Sequence, residues 1–370
     1  MKRVISAMLI FITVIGLMPA ALAEAAPEAP TTKHICLMDA NTGAVLYEKD
    51  ARSKAYPAST TKIMTTILAL ELCDDLEEKV NVGSNFDKRG SLMKFVNNEE
   101  LRIIDLIYGT MMVSGNDAAS ALAIHISGSQ DEFSKLMNAK AAEIGMNDTH
   151  FVKANGLHDD NHYSTAYDMA LLARAALQNP LFAEIVAARR LTVWYGQPPY
   201  ARSLLNHNRL LSLYGDAIGV KTGFTKKAGR CLVSAAERDG VRLICVTLNC
   251  PSDWSTHAAL YERYFSLTES RPLGADPLML PVVGGTATAV QTAIEGQPCY
   301  TAVAGRAEEI TARYYLNRSF CYAPVAAGQP LGQVVFFRGD RVIGTALLTA
   351  AQSVSAAPAP RAPWWQFWRR

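Results

Sequence analysis

Ser59 and Lys62 stand three residues apart in Ser59-Thr60-Thr61-Lys62, where the apolar residues Ile63, Met64, Ile67, Leu68 and Leu72 begin to recur at helical spacing. That separation puts an alcohol and an amine on one face of a helix. An alcohol is a poor nucleophile until a neighbour takes its proton, and a lysine does so near neutrality only if burial pulls its pKa down from about 10.4. The pair is therefore a candidate nucleophile and base. Alone, a Ser-x-x-Lys is more often a helix start followed by a solvated side chain, because Ser suits that position and Lys is good helix filler. Two further triplets change this: Ser114-Gly115-Asn116 lies between two helical patterns, and Lys221-Thr222-Gly223 lies in a strand-like run from Ala217 to Thr225. Three such motifs in order are hard to obtain by coincidence.

The elements that must position them follow from periodicity. His34 to Met38 and Val45 to Tyr47 read as strands joined by a polar turn at Asp39 to Gly43. Ser59 falls in the first turn of a largely buried helix, where backbone N–H groups are free. A helix over Glu99 to Met112 is expected to end at the Ser114-Gly115-Asn116 loop, with Asp117 capping the next one through Ile126. Residues 130–187 continue in helical patterns interrupted by the polar stretch Asn155 to Tyr163. Cys231 to Glu237 and Val241 to Asn249 flank Asp239-Gly240, a favoured two-residue hairpin turn. Strands at both ends with helices between them predict an α/β domain whose antiparallel sheet combines N- and C-terminal pieces. After about Leu273 the pattern changes to short β segments, including Ile310 to Leu316, Gln333 to Arg338 and Val342 to Leu348, a small all-β domain. The expected division is 1–23, 30–268, 273–350 and 351–370.

Ser-x-x-Lys, Ser-Asp-Asn and Lys-Thr-Gly are the signature set of class A β-lactamases and penicillin-binding proteins, with Ser as nucleophile, and this chain has Ser-Gly-Asn in the middle position. With Gly115 in the middle triplet, the chain resembles the low-molecular-weight penicillin-binding proteins that are D-alanyl-D-alanine carboxypeptidases of the DacA/DacF type. Gly145-Met146-Asn147-Asp148-Thr149-His150-Phe151, Asn155-Gly156-Leu157-His158-Asp159-Asp160 and Tyr163-Ser164-Thr165-Ala166-Tyr167-Asp168-Met169 are similar to the same family. The resemblance runs from about His34 to Phe265, and more loosely to about Ala350. It implies a β-lactamase/transpeptidase-like fold with the site between the sheet and the helical section.

The resemblance also implies roles. Ser59 attacks the carbonyl of a terminal D-Ala-D-Ala bond and becomes acylated; neutral Lys62 accepts its proton; Ser114 relays that proton to the leaving amine. Asn116 holds Lys62 and the substrate amide. Lys221 and Thr222 receive the substrate's free carboxylate, Gly223 lets substrate backbone approach the strand, and the N–H groups of Ser59 and Phe224 form the oxyanion hole. Peptidoglycan stem peptides ending in D-Ala-D-Ala are the implied substrate and β-lactams the implied inhibitors. Some family members carry His after Lys-Thr-Gly, where this chain has Phe224. Some carry a basic residue in the loop that here reads Asn249-Cys250-Pro251-Ser252-Asp253-Trp254, without Arg or Lys. Two alternatives stay open. A class A-like β-lactamase is disfavoured because the region between Gly145 and Ala170 contains no Glu for deacylation. A catalytically weak peptidoglycan-binding or morphogenetic protein would keep the fold with little turnover.

Lys2-Arg3, the apolar run Val4 to Met18 and Ala21-Leu22-Ala23 read as a secretory signal, too short for a span. Its removal takes away two basic and no acidic residues, leaving 34 of the 36 basic residues against 34 acidic ones. A neutral chain gives no electrostatic argument for nucleic acid. Seven cysteines leave at least one thiol without an intramolecular partner; Cys231 with Cys245 or Cys250, and Cys299 with Cys321, are candidate pairs, buried free thiols the other possibility. No Cys/His spacing suggests a metal site, and no cofactor is expected. Ala356 to Pro363 is an Ala/Pro linker, and Trp364-Trp365-Gln366-Phe367-Trp368-Arg369-Arg370 suits a membrane interface. The expected location is the extracytoplasmic face of a bacterial membrane.

Overall fold

The computed structural model describes residues 32–306 and 309–358; the N-terminal apolar run and the Trp/Arg tail lie outside them. Strands β1 (His34–Asp39) and β2 (Val45–Lys49) form the early hairpin, and a single 3-10 turn over Ala58–Thr61 leads straight into α1 (Lys62–Leu72). A short ladder of β3 (Lys79–Asn81) and β4 (Glu100–Arg102) precedes α2 (Ile103–Met112), α3 (Asn116–Ser127), α4 (Gln130–Glu143), α5 (Ala166–Ala176) and α6 (Pro180–Ala187). A hairpin of β5 (Arg190–Tyr195) and β6 (Tyr200–Leu205), then the single turn α7 (Leu210–Leu213), lead to β7 (Ala217–Thr225), β8 (Gly229–Arg238), β9 (Val241–Leu248) and α8 (Asp253–Phe265).

The main sheet runs β2-β1-β9-β8-β7, every neighbour antiparallel, so the first and last strands of this section share one sheet. Alternation along β1 explains why both faces are covered. Cys36 and Met38 point into the large core with the helices, and Ile35 and Leu37 into a second core against Leu260 and Tyr261 of α8. Residues Lys62 through Ala69 of α1 are all buried, which makes this helix the axis of the helical section. Any ionisable group in its first turn is thereby taken out of water.

The expected helix over Glu99 to Met112 starts four residues late. Leu101 and the following apolar residues continue one helical spacing in sequence, but Leu101 gains its burial by pairing with Val80 in the β3–β4 ladder. Arg102 then closes the junction with Asp105 (2.8 Å) and Glu77 (2.6 Å). Asp117 is not the cap of α3 either; that position belongs to Gly115, with no side-chain cap. Its buried carboxylate instead accepts from the N–H groups of Met93 and Lys94, each at 2.8 Å, and of Ala118 at 2.9 Å. The irregular loop 84–98 is strapped by it to the start of α3.

From Thr268 onward the described residues form strands and turns only. Strand β10 (Thr268–Pro272) pairs with β13 (Cys299–Val303), and a six-stranded sheet in the order β14-β16-β17-β12-β11-β15 comprises Ile310–Leu316, Pro330–Arg338, Arg341–Ala350, Ala289–Ile294, Met279–Val283 and Cys321–Tyr322. It buries its own clusters, around Val290 and Val325 on one side and Phe336 and Leu348 on the other. Thr301 Oγ1 donates to buried Asp39 Oδ1 at 2.6 Å and Arg341 Nη1 to Gly43 O at 2.8 Å, so the turn of the first hairpin is its foothold on the larger section.

All seven cysteines are free thiols. On β8 and β9 the register sets Cys231 opposite Leu248 and Cys245 opposite Ser234; the Cys231 thiol faces Tyr56 O and the Cys250 thiol Thr32 Oγ1, and Cys299 and Cys321 belong to different sheets. Among the described residues no helix is long and apolar enough to cross a membrane.

Candidate active site

Ser59 sits on the 3-10 turn, and the helix starting at Lys62 continues that turn without a break. Two glycines press on it from separate segments. A Cβ on Gly156, whose φ is +75°, would fall 1.9 Å from Ala58 O; one on Gly223 would meet Pro57 O at 3.0 Å and the backbone nitrogens of Ser59 and Thr60 at 3.1 Å. Neither position accepts a side chain without moving backbone. The approach of Gly223 also brings strand β7 against the N–H of Ser59.

Lys62 is wholly buried, with Nζ 3.0 Å from Ser59 Oγ, 2.7 Å from Asn116 Oδ1 and 2.6 Å from Asn155 O. A neutral amine has two N–H donors and one lone pair, and this setting supplies two carbonyl acceptors and one hydroxyl. The two carbonyls take the donors, and the lone pair is left aimed at the proton of Ser59. Burial, then the charge of Lys221, push the Lys62 pKa far below its ordinary value, with Asp117 and Asp87 opposing. The amide orientation of Asn116 is fixed by its other end: Nδ2 donates to Arg89 O at 2.7 Å, so Oδ1 faces Lys62. One N–H of Nδ2 and the second lone pair of Oδ1 are left for a substrate amide.

Ser59, Ser114, Thr222, Gly223 and Phe224 line one cavity of about 330 Å³. Ser114 has a φ of 59°, a left-handed backbone that a non-glycine residue adopts rarely, and it is held between the ends of α2 and α3. Lys221 lies beneath the cavity, 1% exposed, with Nζ donating to Thr222 O at 3.0 Å. Burial alone brings its pKa down to about 7, so it is a charge that titrates in the working range. Phe224, 65% exposed, stands at the rim. The eight residues expected from the sequence thus converge on one place.

Several groups at this place carry no sequence signal. Asn155 contributes through its backbone carbonyl, which no residue type announces. His162 accepts from Val152 N at 3.0 Å through Nδ1, which leaves Nε2 to donate to Thr61 Oγ1 at 2.8 Å; burial holds its pKa down at about 3, so it stays neutral and props the turn beside Lys62. His207, Arg209, Arg230, Asp253 and Trp254 line the cavity opposite the helices. The pair Ser234 and His257, 2.6 Å apart with Tyr261 and Thr247 completing a chain, has the look of a nucleophile and base. It is closed off between β8 and α8, with His257 neutral by burial, and serves the core.

The sequence model of the D-alanyl-D-alanine carboxypeptidases matches residues 21–252. The chain belongs to the D-alanyl-D-alanine carboxypeptidase family. A second model, the C-terminal domain of penicillin-binding protein 5, matches residues 276–356. D-alanyl-D-alanine carboxypeptidase DacF of Bacillus subtilis is 30% identical over 381 residues, covering 96% of each chain. DacA of Escherichia coli is 30% identical over 339 residues, 86% of this chain and 82% of that one. Among solved structures, penicillin-binding protein 5 of Haemophilus influenzae superposes with a TM-score of 0.65 at 30% identity, over 88% of this chain and 98% of that one. This family carries the serine-type carboxypeptidase activity, and its β-lactamase-like section followed by an all-β section is the architecture described above. The relatives favour that activity over the β-lactamase and over the inert binding module.

Proposed function

We propose that the chain removes the terminal D-alanine from peptidoglycan stem peptides through an acyl-enzyme on Ser59. The observation that carries this is the placement of Lys62 Nζ, enclosed by two carbonyl acceptors with its remaining position toward Ser59 Oγ. Ser59 Oγ attacks the carbonyl of the penultimate D-Ala as its proton passes to Lys62. The N–H groups of Ser59 and Phe224 stabilise the oxyanion, each contributing a few kcal/mol in a preorganised site. Ser114 passes the proton to the departing D-Ala amine, and water then releases the shortened stem. Thr222 receives the substrate's carboxylate with Lys221 beneath it, and Gly223 admits its backbone. β-Lactams enter the same path and stop at the acyl-enzyme.

The test is the intact mass of the chain lacking residues 1–23 after incubation with penicillin, with D-Ala release from diacetyl-L-Lys-D-Ala-D-Ala measured in parallel. An adduct on Ser59 together with D-Ala release is the expected result. Penicillin labelling that survives Ser59→Ala would remove Ser59 as the nucleophile.

The catalytic unit is assigned to 30–268. The β unit is assigned from 273 and extended past 350, because Val325 bridges to Val354 and Gly285 to Ala356. Residues 1–23 are assigned as an export signal, and the tail after the linker as a contact with the extracytoplasmic face of the cell membrane, on the composition of Trp364 to Arg370. Deleting residues 357–370 should move the protein from the membrane to the soluble fraction; unchanged partitioning would remove the tail from this role.

A further inference from the structure

We propose that Arg230, presented by Asp253 and Trp254, joins Thr222 in recognising the free carboxylate of the departing D-alanine in this chain. The assignment rests on the carboxypeptidase reading of Ser59 and names a group for its specificity that the three sequence motifs do not contain.

Arg230 is the second residue of β8 and lies directly across the ladder from Phe224 of β7. It lines the same cavity as Ser59, Thr222 and Gly223. Its Nη2 and Nε donate to one oxygen of Asp253, at 2.8 and 3.1 Å, and that oxygen also accepts from Trp254 N at 2.9 Å. The two partners differ sharply in exposure: the Asp253 side chain is 2% exposed and that of Arg230 42%. The carboxylate is therefore the fixed anchor and the guanidinium the presented end. Its carbon also sits 5.4 Å from the centre of the Trp254 ring, which limits the planes it can adopt.

A guanidinium has five N–H donors in a rigid fork. Two nitrogens are occupied on the Asp253 side, and among the described residues none accepts from Nη1. What remains facing the cavity suits a carboxylate, which takes parallel N–H bonds from such a fork. Asp253 is the residue that makes this possible, because it is the first residue of α8 and reaches back to β8. The loop 249–254 thus lacks a cation of its own yet orients one from the neighbouring strand. Arg209 shares the cavity but has no side-chain hydrogen bond among the described residues, so it adds charge without a fixed geometry. Lys221 is the other cation, and it lies under the strand with Nζ turned to Thr222 O.

The experiment compares kcat/KM for diacetyl-L-Lys-D-Ala-D-Ala and for the same peptide ending in a carboxamide, in the wild-type chain and in Arg230→Gln, Arg230→Lys and Arg209→Gln. The expected result is that the preference for the free acid over the amide falls at least tenfold in Arg230→Gln, is partly restored in Arg230→Lys, and changes less in Arg209→Gln. An equal loss on both peptides would make Arg230 a merely structural partner of Asp253 and overturn the proposal. So would an unchanged preference, or a larger collapse in Arg209→Gln. Equilibrium binding of the acid and the amide to Ser59→Ala, with and without Arg230→Gln, gives the same comparison without turnover. It separates failure of the carboxylate assignment from failure of the nucleophile assignment.

Discussion

The two sides of the cavity handle positive charge in opposite ways. On the helical side Lys62 is sealed in, surrounded by neutral acceptors, and burial drives it toward the uncharged amine. On the sheet side Arg230 is half in solvent and paired to a buried carboxylate. The difference teaches how one small site obtains both proton chemistry and ionic recognition: desolvation makes a base, and exposure beside a counter-ion makes a receptor. Lys221 stands between these extremes, buried like Lys62 but without close carboxylates, its pKa near 7.

The comparison breaks most visibly at the base. Lys62→Met should lower the rate of acylation by penicillin by a factor on the order of 10² to 10⁴, the usual contribution of a positioned general base. Stopped-flow measurement of acylation checks this, and a loss below tenfold would mean that the proton of Ser59 goes elsewhere. Asn116→Ala removes one of the two carbonyl acceptors of the neutral amine, and about a tenfold to hundredfold loss in acylation is expected, since an orphaned buried donor costs about 1–3 kcal/mol. Unchanged kinetics would show that Asn155 O alone orients the amine.

The pH dependence sharpens it further. Lys62 must be unprotonated to act, so kcat/KM rises with pH through its lowered pKa. Lys221 loses its charge as pH rises through about 7, so recognition that depended on it alone would weaken above that value, whereas recognition by Arg230 persists. The KM for the free acid should stay flat from neutral to mildly alkaline pH in the wild-type chain. A KM that climbs above pH 7 would give the carboxylate back to Lys221.

The smallest effect is on stability. Lys221 is depressed in the folded chain and ordinary in the unfolded one, so between those two values the unfolded state binds more protons and stability rises with pH. Lys221→Met should remove that slope and raise the melting temperature near neutral pH by about 1–2 °C, the shift that about 1 kcal/mol produces in a chain of this size. Thermal unfolding of the variant across the pH range tests it; identical slopes would mean that the buried ammonium is otherwise compensated.

Much of the cavity was legible because residue type and spacing suffice for groups that act through side chains. Ser59 and Lys62 announce themselves at helical spacing, and Lys221 to Phe224 by their place in a strand. What was not legible acts through backbone or across strands. Asn155 works by a carbonyl, and Arg230 reaches Asp253 only because β8 and α8 meet. For the fold, the hairpins at His34 and Val241 followed from local turn chemistry. The helix expected over Glu99 to Met112 overran because Leu101 satisfies two patterns, and the pairing with Val80 that decides between them is a tertiary event. The loop 249–254 looked uncharged in function for the same reason: Asp253 imports its cation.

The turn that carries Ser59 is pinched between Gly156 and Gly223, residues far apart in the chain. The nucleophile therefore does not exist as a local object. It comes into being only when the polar stretch after α4 and strand β7 have both docked, and β7 reaches its place through a sheet that joins the first strand to the last. A chain cut short before residue 217 holds every atom of Ser59 and Lys62 and still lacks a reactive serine. Acylation by a fluorescent penicillin is thus a gauge of maturation, marking the fraction of newly made molecules in which the whole section has closed.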